Sequence, residues 1–261
     1  MLHDLEKSLV KLRQLKPLVL CLTNHVTMDF MANCLLSLGA APIMTQEVSE
    51  LDELVHISHA VNLNIGTLDD AFIARANTLV RLAKAHNKPI ILDPVGAGAT
   101  HIRTASSRSL MVSADIIRGN ASEIMALAEN INQTLGVEST HQVSDAALSA
   151  TMLAKNHQCT VVVSGAEDVV TDGRRDDRLC FGSTLMPLIT GMGCALTAVI
   201  AAFKAVTPDS YEAARLATAY FSLCGSLAAK KTDKPGSFRT LFIDELFAAD
   251  FDAMRTVPHA V

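Results

Sequence analysis

The chain has 261 residues, 22 Lys and Arg against 27 Asp and Glu for a formal net charge of -5, 49% hydrophobic residues, 19% charged and 4% aromatic, with no tryptophan. That is enough apolar material for a large core and too little charge for disorder, and the length suits one α/β domain over 1–261. The mild acidity argues against nucleic acid or an anionic membrane as main partner, and no apolar run reaches the roughly 20 residues of a membrane span.

From the amino terminus, MLHDLEKSLVKLRQLKPLV mixes charges of both signs through its apolar positions, so neither signal peptide nor anchor is expected. A first helix over 4–14 leads into a short β-rich run at 17–23, read as a strand. Thr27 is placed to cap a helix over 28–38, which Gly39 ends. Strands follow at 41–45 and 61–65, each separated by a helical period, then a helix over 68–86 and a strand at 90–92. Runs at 115–117 and 160–163 are apolar without alternation, as in strands covered on both faces. The polar stretch 129–142 reads as a surface loop, and the turn-rich 169–182 as a hairpin at the sheet edge. Alanine-rich helices are expected over 194–205 and 210–230, and a last helix near 241–255. Alternating strands and helices are the mark of βαβ units and a mostly parallel sheet. The six cysteines are scattered without a C-x-x-C pair, which fits free thiols in a reducing cytoplasm.

Four segments carry candidate chemistry. Thr190-Gly-Met-Gly-Cys-Ala-Leu-Thr197 is glycine-rich and opens an apolar helix, so its backbone N–H groups can form an anion-binding concavity; an ordinary loop-to-helix turn is the plainer reading. It lacks the lysine of a Walker A loop. Asp93-Pro-Val-Gly-Ala-Gly98 follows a strand end, where a carboxylate either faces substrate or metal or caps a turn. Arg118-Gly-Asn-Ala-Ser-Glu123 offers a cation for phosphate and a carboxylate for Mg²⁺, and Asn120 with Glu123 also fits a helix capping box. Ser164-Gly165 places a hydroxyl on the same rim. The segments Asn24-His-Val-Thr27 and Pro42-Ile-Met44 end the first two strands, and Met44 is a suitable soft wall for a heterocycle. His25 has no metal-ligand partner at useful spacing.

In this order, with L-T-N-H-V-T and A-P-I-M near the amino terminus, the segments resemble the hydroxyethylthiazole kinase family of thiamine salvage through nearly the whole length. The resemblance implies a three-layer ribokinase-like α/β fold, a central mostly parallel sheet flanked by helices. It also implies phosphorylation of the alcohol of 4-methyl-5-(2-hydroxyethyl)thiazole by ATP with Mg²⁺, and a cytoplasmic homotrimer with the substrate pocket at the subunit interface. By the same resemblance Arg118, Asn120 and Ser164 would contact ATP; Asn24, Val26, Met44, Gly66 and Gly191 would line the thiazole pocket; Asp93 and Glu123 would manage the metal; and Gly191, Gly193 and the helix start would form the anion hole. Cys194 stands where the wider ribokinase-like group has the general-base aspartate of G-x-G-D, and the thiazole kinases resemble this sequence in having that cysteine. A thiol at a helix N-terminus can have a lowered pKa, so Cys194 would accept a proton late or orient the hydroxyl. Met192 replaces a threonine common in the family, and Ser164 a frequent threonine. The alternatives are a hydroxymethylpyrimidine kinase, a nicotinamide-nucleotide-hydrate dehydratase, or a non-catalytic nucleotide-binding protein.

Overall fold

The computed structural model describes residues 1–135 and 142–258. The chain runs α1 (Leu2–Leu15), β1 (Leu18–Leu22), α2 (Met28–Leu38), β2 (Ala41–Met44), α3 (Leu51–Ile57), β3 (Ala60–Asn64), α4 (Asp70–Ala85), β4 (Ile90–Asp93), α5 (His101–Met111), β5 (Ile116–Asn120) and α6 (Ala121–Leu135). It continues with α7 (Gln142–His157), β6 (Thr160–Ser164), β7 (Asp168–Thr171), β8 (Asp176–Leu179), α8 (Met192–Lys204), α9 (Ser210–Lys231), α10 (Pro235–Ala248) and α11 (Phe251–Arg255). The strands form one sheet of order β2-β1-β3-β4-β5-β6-β7-β8, parallel from β2 to β6, with the antiparallel β7 and β8 completing one edge.

The period of two along each strand divides the molecule into layers. Val19 and Cys21 of β1 and Ile91 of β4 face the core built with α1, α2, α8, α9 and α10, while Leu20, Leu22 and Leu92 face the core built with α3 to α7. This is the expected three-layer arrangement, with helices covering both faces of a mostly parallel sheet. Helix α8 is buried over most of its length, from Ala195 to Phe203, because it lies between the sheet and α9. Its alanines permit that close approach where larger side chains would hold the layers apart.

Four boundaries differ from expectation. The stretch 129–142 is not all loop: α6 continues to Leu135, α7 starts at Gln142, and 136–141 lie outside the described residues. The last expected helix is two, since Pro235 starts α10 well before 241 and Ala249, at φ 50°, ends it before α11. Strand β5 runs on to Asn120, so Arg118 sits inside it rather than beyond its end. Helix α8 begins at Met192, two residues before 194. No helix among the described residues is long and apolar enough to cross a membrane.

Candidate active site

Parallel strands bring their carboxyl ends to one rim, and register then decides which residues meet there. Asn64 at the end of β3 is the partner of Asp93 at the end of β4, and Asn120 of β5 is the partner of Ser164 of β6. The amino end of α8 covers this rim. Gly191 takes a left-handed conformation, φ 95°, and a Cβ there would lie 3.0 Å from Thr27 and 3.3 Å from Phe30. Only glycine allows the start of α8 to lie so close to the loop preceding α2. Gly193 and Cys194, in the first turn, then contribute N–H groups without intrahelical acceptors.

Asp93 is 1% exposed. Its Oδ2 accepts hydrogen bonds from Asn64 Nδ2 at 2.8 Å and from Thr197 Oγ1 at 2.9 Å, and lies 3.8 Å from Arg118 Nη1. It caps no turn. Burial pushes its pKa up to about 6 against the pull of Arg118, with the Glu123 charge adding to the rise. The other oxygen, Oδ1, is buried with no hydrogen-bond partner among the described residues. An acceptor left unpaired in this way suits a cation or its water.

The Arg118 guanidinium donates to the Ser164 hydroxyl, so two residues assigned to one ligand are in direct contact. It also lies over Gly193, where a Cβ would fall 2.9 Å from the guanidinium carbon. A residue larger than glycine would displace this cation from the mouth of α8. The charge, the helix N-terminus and its free N–H groups thus meet at one place, as an anion requires.

Glu123 and Asn120 form the capping box: Asn120 N donates to Glu123 Oε2 at 2.8 Å, and Glu123 N to Asn120 Oδ1 at 2.9 Å. The remaining Glu123 oxygen accepts from Gly96 N at 2.8 Å, which ties the loop after Asp93 to α6. Arg103 holds the same loop from the other side, donating to Val95 O, Ile65 O and Gly66 O. Among the described residues no three His, Cys, Asp or Glu side chains converge as a metal cage. The unpaired Oδ1 of Asp93, with the Glu123 carboxylate nearby, is compatible with Mg²⁺, which is commonly held by one or two carboxylates, waters and substrate oxygens.

Cys194 is half-buried, and its sulfur accepts from Asn24 Nδ2 at 3.4 Å. The expected lowering of its pKa is not found. Burial first, then the Asp93 charge, raise it, and the Thr27 and Asn64 hydrogen bonds and Arg118 only partly oppose them. Thr27 occupies the cap position of α2 but its side chain does not cap; its hydroxyl donates to Asn24 Oδ1 at 3.0 Å.

The rim therefore gathers Asn24, Gly66, Asp93, Arg118, Glu123, Ser164 and Cys194, all anticipated from sequence. Met44, paired with Cys21 of β1, is half-buried against the core, and Val26 stands 69% exposed. Val26 lines an open cavity of about 360 Å³ with Phe30, Leu188, Ile189 and Thr190, whereas Asn24, Met44 and Gly66 do not line it. Asn64 and Arg103 lie outside every segment singled out from sequence, and Thr197 closes one of those segments without a role having been assigned to it. Two asparagines at alternate positions of the otherwise apolar β3, Asn62 and Asn64, were the available signal for the first.

The hydroxyethylthiazole kinase family model matches residues 9–251. The chain belongs to the hydroxyethylthiazole kinase family. It is 50% identical over 257 residues to the hydroxyethylthiazole kinase of Chlamydia felis, covering 98% of each chain. Among solved structures, the hydroxyethylthiazole kinase protein of Pyrococcus horikoshii superposes with a TM-score of 0.90 at 35% identity, covering 98% of this chain and 97% of that one. The Bacillus subtilis pyridoxal kinase structure, described as an ADP complex, gives a TM-score of 0.60 at 14% identity over 80% and 91% of the chains, a likeness of ribokinase-like fold.

Proposed function

We infer that the protein is a hydroxyethylthiazole kinase, transferring the terminal phosphoryl group of ATP to the alcohol of 4-methyl-5-(2-hydroxyethyl)thiazole in thiamine biosynthesis. The observation that carries this reading is the meeting of Asp93, Arg118, Ser164 and the Gly191–Gly193 start of α8 at one rim, in a chain matching the family over nearly its whole length. Phosphoryl transfer has a loose transition state, so positioning and charge stabilisation supply most of the catalysis. Arg118 and the first-turn N–H groups of α8 face the charge that develops on the phosphoryl oxygens. Ser164 orients Arg118 and, with Asn120, borders the nucleotide. Asn24, Val26, Met44 and Gly66 border the thiazole. Mg²⁺, held through Asp93 and Glu123, supplies neutralisation of phosphate charge when bound.

We assign the proton of the substrate alcohol, late in transfer, to the minor thiolate form of Cys194, the neutral thiol serving only to orient the hydroxyl. Its raised pKa keeps the thiol neutral at pH 7, so the base form is scarce. Cys194→Asp is expected to keep or raise kcat, because a carboxylate at this position is more readily ionised, while lowering Tm through repulsion with Asp93. Cys194→Ala should lower kcat by about 10²-fold with little change in the KM for ATP. Steady-state kinetics checks both, and a kcat for Cys194→Asp below that of Cys194→Ala would make Cys194 a packing residue.

The domain and assembly follow the same reading. The eight-stranded sheet with α8 and α9 packed on it, and α10 on α9 and α2, supports one kinase domain over the chain. Val26 and Leu188, 69% and 63% exposed beside the open cavity, support a homotrimer whose neighbour closes the pocket. Light scattering is expected to give a mass near three times 27.9 kDa. Six free cysteines support a reducing, cytoplasmic setting. The deciding experiment measures ATP consumption with the thiazole alcohol, with a hydroxymethylpyrimidine and with no acceptor. Turnover dependent on the thiazole alcohol is expected, and turnover with the pyrimidine alone, or none, overturns the assignment.

A further inference from the structure

Asn64 is fully buried at the end of β3, and each of its side-chain atoms is engaged. Its Nδ2 donates to Asp93 Oδ2 at 2.8 Å, and its Oδ1 accepts from Gly66 N at 3.0 Å and from Asn24 Nδ2 at 2.9 Å. Asn24 Oδ1 in turn accepts from Thr27 N at 3.1 Å, and Asn24 Nδ2 reaches the Cys194 sulfur at 3.4 Å. An amide side chain can face either way, but neither of these two is free to turn. The backbone N–H of Gly66 requires an oxygen from Asn64, and the backbone N–H of Thr27 requires an oxygen from Asn24. Two backbone donors therefore fix the direction of every bond between the acid and the thiol. As a result the Cys194 sulfur is an acceptor from Asn24, and its own proton must point elsewhere.

We propose that Asn64 is a positioning residue that joins Asp93 to Cys194: its amide orients Asn24, and Asn24 holds the thiol at the rim as a hydrogen-bond acceptor. This rests on the kinase reading above. Asn64 also lies within hydrogen-bonding reach of the Cys194 thiol, and it touches neither substrate in this account. Losing its amide would leave Asn24 held only through its oxygen by Thr27, with no acceptor to aim its Nδ2, and so leave Cys194 without a fixed donor, while the surfaces that bind ATP would stay in place.

The test is a double-mutant cycle on the full chain, with kcat and KM measured for the thiazole alcohol and ATP. Asn64→Ala is expected to lower kcat by at least about tenfold with the KM for ATP within about threefold, and to cost less than about threefold in kcat when Cys194→Ala is already present. Thr197→Val removes a donor from the same Asp93 oxygen but leaves Asn24 held, so its effect should multiply independently with Cys194→Ala. Equal effects of Asn64→Ala in both backgrounds, or coupling of Thr197→Val to Cys194→Ala as strong as that of Asn64→Ala, overturns the proposal, since a general loss of rigidity would act on both alike. Should thermal melting show Asn64→Ala unfolded, Asn64→Ser enters the same cycle with the same expectation, because its hydroxyl is too short to reach Asp93 and Asn24 together. A parent chain without thiazole-dependent turnover defeats the kinase reading, whereas an active parent with an additive cycle defeats this inference alone.

Discussion

Asp93→Asn is expected to lower kcat by about 10²–10³-fold while leaving the protein at least as stable as its parent at pH 8. Both effects follow from burial. The carboxyl is 1% exposed, and its pKa is pushed up from an ordinary 3.8 to about 6 although Arg118 opposes the rise. Because the folded state holds this proton more tightly than the unfolded chain, the stabilising contribution is complete below about 3.8 and is lost as the pH climbs through about 6. Above that window the ionised group costs the fold about 3 kcal/mol relative to its neutral form. Asparagine keeps an oxygen for Asn64 and Thr197 and carries no charge, although Arg118 loses its partner. Thermal melts at pH 5 and pH 8 should therefore show the variant gaining on the parent at the higher pH. Parental kcat in Asp93→Asn would remove the acid from the chemistry, and a melting difference that does not change with pH would show that Asp93 titrates normally.

Arg118→Met is expected to cost about 10²–10³-fold in kcat, with a rise in the KM for ATP, because it removes the only side-chain cation that contacts both Ser164 and Asp93 among the described residues. Lysine should restore part of the loss, since it returns the charge without the planar fork that reaches two partners. The variant has a second signature. Arg118 lowers the pKa of Asp93, so without it the carboxyl rises above about 6 and the acid limb of the pH–rate profile moves to higher pH. A profile recorded from pH 5 to 9 that keeps its limb in Arg118→Met would separate Asp93 from the ionisation that limits turnover.

The fold was largely legible because each parallel strand announces itself as a short apolar run and α2 as a helix closed by Gly39. The boundaries that moved are those where local signals compete: α6 continues through polar residues to Leu135, and the end of α10 depends on Ala249 adopting a conformation with no glycine to mark it. At the site, residues carried by glycine-rich segments were legible, including Asp93, Arg118 and Cys194. Asn64 and Arg103 were not, since their roles arise from neighbours far apart in sequence: Asp93 and Asn24 for the first, and the carbonyls of Ile65, Gly66 and Val95 for the second. The direction of the Cys194 pKa was misread for the same reason. A helix N-terminus is visible in sequence, whereas the burial and the Asp93 charge that outweigh it appear only in three dimensions.

The two open edges of the sheet bear on how the protein behaves when crowded. In β2, Ala41 N donates inward to Pro17 O, so the next nitrogen along the strand faces outward, and that residue is Pro42, which has no hydrogen to offer. At the opposite edge β8 is only four residues long and carries Asp176, Asp177 and Arg178. An extended segment from another molecule thus meets a missing donor on one side and a short charged strand on the other. Fibril growth by strand addition has no ready template on the native molecule, and aggregation on heating or prolonged storage should follow the population of unfolded chains rather than the concentration of folded ones.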